Sequence, residues 1–261
     1  MKTQEIPDPT DIDERTASTT ITSFRIIEEL NRQETAGISD IAAELDLAKG
    51  TVHKHLTTLR TIGYVVKYEG SYRLGLGFFK IGAGIRQRNV LYHIAQEPLT
   101  KLANATDETV NLVVREQEFG VYLICKNTTG DSRSGPNEGE FVPLYATAAG
   151  KAILSRMASD RRNEILDRQK FNSLTNETIT DKDALLRELD DLFDQRTAYD
   201  RGEYHPDLHC VAAPVNNKGR AVGAVSLSGP AERMQQKSKN ADFRSIIQST
   251  ASSIEGRLSG I

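Results

Sequence analysis

The chain is poor in several residue types, and each shortage narrows what it can be. Its 261 residues include no tryptophan and only two cysteines, Cys125 and Cys210, which stand far apart in the sequence. Two such cysteines form neither a disulfide framework nor the paired spacing of a zinc site, so a reducing cytoplasm is the expected compartment. No apolar run approaches the roughly 20 residues of a membrane span, so no membrane association is expected. Motifs for nucleotides, flavins and metals are missing, so we expect no cofactor.

The N-terminal stretch over residues 1–19 is also poor in apolar residues. It carries Pro7, Pro9 and several acidic residues in place of the apolar core of a signal peptide. This composition predicts a disordered tail.

Residues 39–73 read as helix, turn, helix and a two-stranded wing. Ser39 is placed to cap a helix running to Leu47, and Thr51 opens a second helix that Gly63 ends. Two short β-type runs then flank a Glu-Gly-Ser turn. An earlier amphipathic helix over Thr20–Leu30 completes a three-helix core. The sequence therefore predicts a winged helix-turn-helix domain over residues 20–75.

Charge is distributed unevenly around this head. Residues 1–48 hold four basic and eleven acidic residues, a net of −7, whereas residues 49–88 hold eight basic residues and one acidic residue, a net of +7. The remaining residues hold 21 basic and 24 acidic residues, and the three segments sum to the −3 of the whole chain. A chain that gathers its basic residues on the second helix and the wing is built to bind phosphates.

These features predict an interface with double-stranded DNA. A second helix with a polar, cationic face suits the major groove, where base edges offer acceptors and donors. The alternatives are a helical pair without a nucleic-acid role and a head that binds protein. The expected contacts to base edges come from Thr51, His53, Lys54 and Thr57, those to phosphates from Lys49, Arg60, Lys67 and Arg73, and Ser39 is a further candidate.

In the second half of the chain, the pattern of apolar residues changes from the period of helices to that of strands. A glycine-rich segment over residues 76–90 is predicted as a linker helix whose small residues admit a twin helix, and residues 91–261 as an effector-binding and oligomerisation domain. There, strands are predicted at Thr109–Val114 and Val121–Cys125 and again at Cys210–Val215 and Ala221–Leu227. Helices are predicted at about Thr147–Met157 and at Asp181–Ala198. Helices before, between and after strands give an α+β sandwich.

From about residue 20 to residue 258 the chain resembles the IclR family of transcriptional regulators. The matching stretches in the head are Thr51-Val52-His53, Gly63-Tyr64-Val65 and Tyr72-Arg73-Leu74-Gly75. Those in the second half are residues 146–152 (ATAAGKA), 210–215 (CVAAPV) and 226–230 (SLSGP). The resemblance implies a winged head, a linker helix and a GAF-like domain that binds a small-molecule effector. It also implies homodimers, often paired into tetramers, that regulate genes of carbon-source or aromatic-compound metabolism.

The resemblance further implies where the effector binds. Positions matching Ala148 and Ala149 give backbone amides to a small carboxylate, and a helix N-terminus suits that role. The other contacts implied come from Val142, Asp200, Cys210, Ser226 and Ser228. Each has a plainer interpretation: the alanines as tight packing, the serines as ordinary strand residues, Asp200 as a solvated acid and Cys210 as a small buried hydrophobe.

Two other classes of function are weighed against a DNA-binding regulator. His209 and Cys210 suggest a nucleophile pair, but neighbours on a strand point to opposite faces, so the histidine is badly placed to activate the thiol. We therefore expect no enzyme activity. The other class is a dimeric scaffold that binds a small molecule and has no DNA role.

Overall fold

The computed structural model describes residues 15–127, 136–239 and 241–260. These residues form two compact units that divide between Arg88 and Asn89. Residues 1–14 of the predicted tail (residues 1–19) lie outside the described residues. The end of that range is not tail, because a helix begins at Ser18.

The first unit is a three-helix core with a hairpin and a further helix. Its buried centre combines apolar residues from all three helices and the hairpin, including Ile26, Leu30, Ile41, Leu56 and Val65. The hairpin pairs in antiparallel register, as predicted for a wing. The elements are α1 (Ser18–Gln33), α2 (Ile38–Glu44), α3 (Lys49–Thr61), β1 (Val65–Tyr68), β2 (Ser71–Leu74) and α4 (Gly77–Gln87).

The predicted cap of α2 is wrong. The helix begins at Ile38, which places Ser39 inside its first turn, and the residue at the cap is Gly37. Glycine is an accepted cap residue because its backbone takes the extended conformation required there. The Asp40 carboxylate accepts the Gly37 N–H at 3.0 Å, so a side chain three residues on secures the helix start.

The second unit is built on one six-stranded antiparallel sheet with strand order β5-β4-β3-β8-β7-β6. One face packs against α5 and α10, and the other packs against α6 and α8. The elements are α5 (Val90–Thr106), β3 (Thr109–Glu116), β4 (Phe119–Lys126), β5 (Phe141–Pro143), α6 (Ala148–Ser155), α7 (Ser159–Arg168), α8 (Lys182–Gln195), β6 (Ala198–Arg201), β7 (Leu208–Asn217), β8 (Arg220–Pro230), α9 (Ala231–Ser238) and α10 (Phe243–Ser259).

The structure confirms both predicted hairpins and adds elements that the sequence pattern did not indicate. The β7–β8 turn is the pair Lys218 and Gly219, both with positive φ, which matches the twist of the flanking strands. The helix predicted over Asp181–Ala198 instead ends at Gln195, and β6 starts at Ala198. Helix α9 was not predicted. Along the described residues, no helix is both long enough and apolar enough to cross a membrane.

Candidate functional site

Helix α3 presents a polar face away from the core of the first unit. Val52, Leu56 and Leu59 are buried against α1, α2 and the hairpin. His53 and Lys54 are exposed, whereas the two other residues predicted to contact the groove, Thr51 and Thr57, are half-buried. Lys49 and Arg60 are exposed near the two ends of the helix. Ser39 is exposed on α2. The side chains predicted to contact DNA therefore lie off the buried stripe, as a recognition helix requires.

The two histidines of α3 differ in their surroundings. The Nδ1 atom of His55 lies 2.8 Å from the Ser23 hydroxyl on α1. Burial and, secondarily, the charge of Lys54 lower the pKa of His55. His55 therefore joins α3 to α1, while His53 faces solvent.

The wing separates two of the predicted phosphate contacts. Lys67 is paired with Tyr72, and Arg73 is paired with Val66. Adjacent residues on a strand point to opposite faces, so the exposed Lys67 and Arg73 leave the hairpin on opposite sides. The Lys67 Nζ lies 5.6 Å from the centre of the Tyr72 ring, and Tyr72 is buried.

In the second unit, strand register brings the predicted effector contacts onto one face of the sheet. Asp200, Cys210 and Ser228 are direct neighbours across β6, β7 and β8. Ser226 lies two residues before Ser228 and so shares its face. Helix α6 covers this face. Cys210 packs with that helix, and so does Ala212, the residue of β7 that is paired with Ser226.

Helix α6 starts over this face with small residues. Thr147 is its cap, and the Thr147 hydroxyl oxygen accepts the Gly150 N–H at 3.1 Å. The first backbone bond of the helix is from Lys151 N–H to the Thr147 carbonyl, so the amides of Ala148 and Ala149 precede the helical ladder. Val142 on β5 is buried and lies opposite Gly120 on β4. The predicted contacts on α6, β6, β7 and β8 therefore lie on the same side of the sheet, with Asp200 on the edge strand β6 and Val142 on β5 at the opposite edge.

A buried group of charges lies beside these residues and was not predicted. Lys151 is completely buried, and its Nζ donates to carboxylate oxygens of Glu203 at 2.6 Å and of Glu188 at 2.7 Å. The Asp200 carboxylate accepts the backbone N–H of Glu203 at 2.7 Å. Burial raises the pKa of Asp200 to about 6, and burial raises the pKa of Glu203 to about 7 against the lowering effect of Lys151.

Cys210 is not prepared to act as a nucleophile. Burial, reinforced by the charge of Asp200, raises the pKa of its thiol well above the usual 9. A reactive cysteine needs the opposite shift, because the thiolate is the attacking species. His209 is the neighbouring strand residue and points to the other face, as the sequence argument required.

An open groove of about 430 Å³ lies on the other side of the sheet, between α5 and α10. Pro98 and Leu102 on α5 and Ser249 and Ser253 on α10 contribute to its walls. None of the predicted effector contacts lines this groove. The candidate effector site is therefore the face of the sheet that α6 covers, with Asp200, Cys210, Ser226 and Ser228.

The raised pKa of Asp200 makes a testable prediction for stability. Its pKa is 3.8 ordinarily and about 6 in the folded protein, so the folded state binds the proton more tightly. The stabilisation this gives is complete below about pH 4 and is lost as pH rises through about 6. At about 1.4 kcal/mol per pKa unit, the Asp200→Asn variant should gain about 3 kcal/mol relative to wild type between these pH values. Denaturant unfolding of both proteins from pH 4 to pH 8 measures it, and a pH-independent difference would contradict it.

Two family models match the chain in the order of its two units. Residues 23–68 match the IclR helix-turn-helix domain, and residues 84–256 match the C-terminal domain of the bacterial transcriptional regulator IclR. The chain belongs to the IclR family. Because this family consists of transcriptional regulators, the expectations of a DNA-binding regulator and of no enzyme activity are confirmed.

Individual relatives agree with this assignment. The chain is 28% identical over 244 residues to the HTH-type transcriptional regulator KdgR of Escherichia coli (strain K12), with 92% of each chain covered. Its fold is similar to that of a putative transcriptional regulator from Rhodococcus sp. RHA1, with a TM-score of 0.80, 24% identity and 94% and 99% of the two chains covered. An IclR homolog from Microbacterium hydrocarbonoxydans, solved with 4-hydroxybenzoate, gives a TM-score of 0.78 at 20% identity, with 94% and 100% covered.

As an IclR-family regulator, the chain has a DNA-binding helix-turn-helix and an effector-binding C-terminal domain, in an α+β fold. The residues that sequence reasoning missed are the buried ones around the effector contacts: Lys151, Glu203 and Asn111. A signal was available for Lys151, because it is the one charged residue in the apolar run of residues 148–154 (AAGKAIL). Lysine is almost never fully buried unless it is paired.

Proposed function

We propose that this regulator binds an operator through α3 and the wing, and that a small organic acid bound under α6 changes its affinity for DNA. The observation that carries the proposal is that Asp200, Cys210, Ser226 and Ser228 share the face of the sheet that α6 covers. A helix start favours a carboxylate through its free amides and dipole. The similar Microbacterium protein was solved with 4-hydroxybenzoate, which is a carboxylate.

Asp200 narrows the class of acid. A buried carboxylate in the site favours hydroxyl or amide donors and repels a second carboxylate, so we propose a monocarboxylic acid or a hydroxylated aromatic acid of carbon metabolism. Replacing Asp200 by alanine should change the order of preference among acids. Ala148 and Ala149 supply the amides, Ser226 and Ser228 the hydroxyls, and Val142 and Cys210 the walls.

In the head, we propose that base edges are contacted by His53 and Lys54, with Thr51 and Thr57 beside them. We propose that phosphates are contacted by Lys49, Arg60, Lys67 and Arg73. Ser39 on α2 remains a candidate for a further contact to DNA. Replacing Lys49, Lys54 and Arg60 together by alanine should lower the slope of log affinity against log salt by about one unit for each phosphate that the variant no longer neutralises. Fluorescence anisotropy with DNA from upstream of the gene, at several salt concentrations, measures this. Lys170→Ala is the control, because Lys170 is an exposed lysine of the other unit. Unchanged binding by the triple variant would exclude α3 as the reader.

We propose a homodimer that pairs through α1 and α4. Helix α4 and the residue before it expose large apolar side chains: Leu76 is 83% exposed, Phe79 67% and Ile85 59%. Burying them in a twin helix removes apolar surface from water, and two heads give enough contacts for a palindromic site. Light scattering should show at least a dimer at micromolar concentration, and a monomer would contradict this. We also propose that this DNA-binding regulator is located in the cytoplasm, at the bacterial nucleoid, because its operator is there.

A further inference from the structure

Asn111 lies on β3 among the effector contacts. It is directly opposite Ser226 on β8 and opposite Cys125 on β4, so its side chain shares the face that α6 covers. The residue is 1% exposed. Its neighbours along the strand, Val110 and Leu112, point to the other face and pack with α5 and α10.

Of the two polar atoms of the Asn111 amide, only Nδ2 has a hydrogen-bond partner among the described residues. Its Nδ2 donates to the Ser226 hydroxyl oxygen at 3.4 Å. Within the described part of the chain, its buried Oδ1 has no hydrogen-bond partner, and the same holds for the buried Oε2 of Glu203. A buried acceptor without a partner costs stability, and native proteins keep few of them.

These two buried acceptors, Asn111 Oδ1 and Glu203 Oε2, each lack a donor among the described residues. A carboxylate effector cannot supply one, because it only accepts hydrogen bonds. A hydroxyl group donates and would satisfy the Asn111 Oδ1 beside the same serine that is assigned to the effector. A site built to bond a hydroxyl discriminates strongly against the analogue that lacks it, because its buried polar groups are then left unpaired.

We propose that Asn111 is a specificity-determining residue that contacts the effector, and that it selects acids carrying a hydroxyl group over the same acids without one. This inference rests on the proposed effector site and adds to it the residue on β3 that distinguishes hydroxylated acids from their analogues without the hydroxyl.

The test is calorimetric binding to the full-length protein of acid pairs that differ by one hydroxyl: propionate and lactate, hexanoate and 6-hydroxyhexanoate, benzoate and 4-hydroxybenzoate. For at least one pair, wild type should prefer the hydroxylated acid about tenfold or more. Asn111→Val and Asn111→Ala should reduce that preference to about twofold or less. Thr106→Val is the matched control, because Thr106 is a buried polar residue of α5 that bonds within its own helix.

A second readout needs no effector. Because the Asn111 Oδ1 has no partner among the described residues, Asn111→Val should keep or raise the midpoint of thermal unfolding, since valine suits a strand and carries no buried polar atom. A fall of several degrees would identify Asn111 as a structural residue and overturn the proposal.

The outcomes separate the two proposals. If acids bind wild type and change its DNA affinity, but the variants keep the same hydroxyl preference as wild type or wild type has none, the role of Asn111 is refuted and the effector site stands. If wild type binds none of these acids and none changes its DNA affinity, the proposed class of effector fails and the role of Asn111 fails with it.

Discussion

Replacing Lys151 by methionine is expected to destabilise the effector-binding unit by about 3–5 kcal/mol at pH 8. The Lys151 Nζ is fully buried between Glu203 and Glu188. Methionine has a similar length and no charge, so the change leaves the mostly buried Glu203 without its counter-charge. Glu188 is more exposed and can turn towards solvent, so Glu203 determines the cost. By scanning calorimetry at fixed protein concentration, the midpoint should fall by roughly 10 °C.

The same substitution should be less harmful in acid. Burial raises the pKa of Glu203 to about 7 even with Lys151 present, and removing Lys151 removes an interaction that lowers it. At pH 5 the Glu203 carboxyl of the variant is therefore protonated, and no uncompensated charge is buried. The difference between wild type and Lys151→Met should shrink between pH 8 and pH 5, and a difference that grows in acid would contradict the assigned ion pairs.

Lys182→Met is the control for Lys151→Met. Lys182 pairs with Asp167, whose side chain is 65% exposed. Solvent-exposed pairs contribute about 1 kcal/mol or less. Both variants replace one lysine of the same unit, so only the burial of the pair distinguishes them. Equal decreases in stability would contradict the buried role of Lys151.

Replacing Gly150 by alanine is expected to displace the start of α6. A Cβ atom on Gly150 would lie 2.2 Å from the carbonyl oxygen of Leu144 and 2.5 Å from its Cα, and backbone cannot turn away as a side chain can. Overpacking of this kind costs about 3 kcal/mol, and here it also moves the amides assigned to the effector. The variant should unfold at a lower temperature and bind the effector acid more weakly.

Gly256→Ala is the matched control for Gly150→Ala. Gly256 lies inside α10, and a Cβ there would meet no described atom within 4 Å. Alanine should stabilise that helix by about 0.5–1 kcal/mol, because glycine loses more backbone freedom on folding. If Gly150→Ala were as stable as wild type, the close packing of α6 on Leu144 would be wrong.

Sequence periodicity located the elements of this fold whose patterns are local. The stripe of Val52, Leu56 and Leu59 identified α3, and alternation with turn residues identified both large hairpins. The boundaries were harder. Ser39 is a better cap by side-chain chemistry than Gly37, but a helix start depends on where the preceding chain turns, which local preference does not set.

The site could be predicted only in part, for a physical reason. Asp200, Cys210 and Ser228 are distant in sequence, and the resemblance to a family, not spacing, brought them together. Strand register then places Asn111 beside Ser226, which no local pattern of either strand indicates. The opposite directions of Lys67 and Arg73 also depend on the exact pairing of the wing. A shift of the strand register by one residue would move every side chain of the shifted strand to the opposite face.

The central claim is that an acid bound beside Ala149 changes the affinity of the head for DNA. The direct measurement is the affinity of full-length wild type and Ala149→Phe for the upstream DNA, by anisotropy, with and without the tightest-binding acid. Ala149 is buried at the start of α6, so phenylalanine fills the space of the effector; Ser228→Ala serves as a milder second variant. We predict a change of about 5- to 150-fold for wild type and a much smaller change for both variants, with DNA affinity in the absence of acid retained. An acid that changes DNA affinity equally in all three proteins would contradict the account.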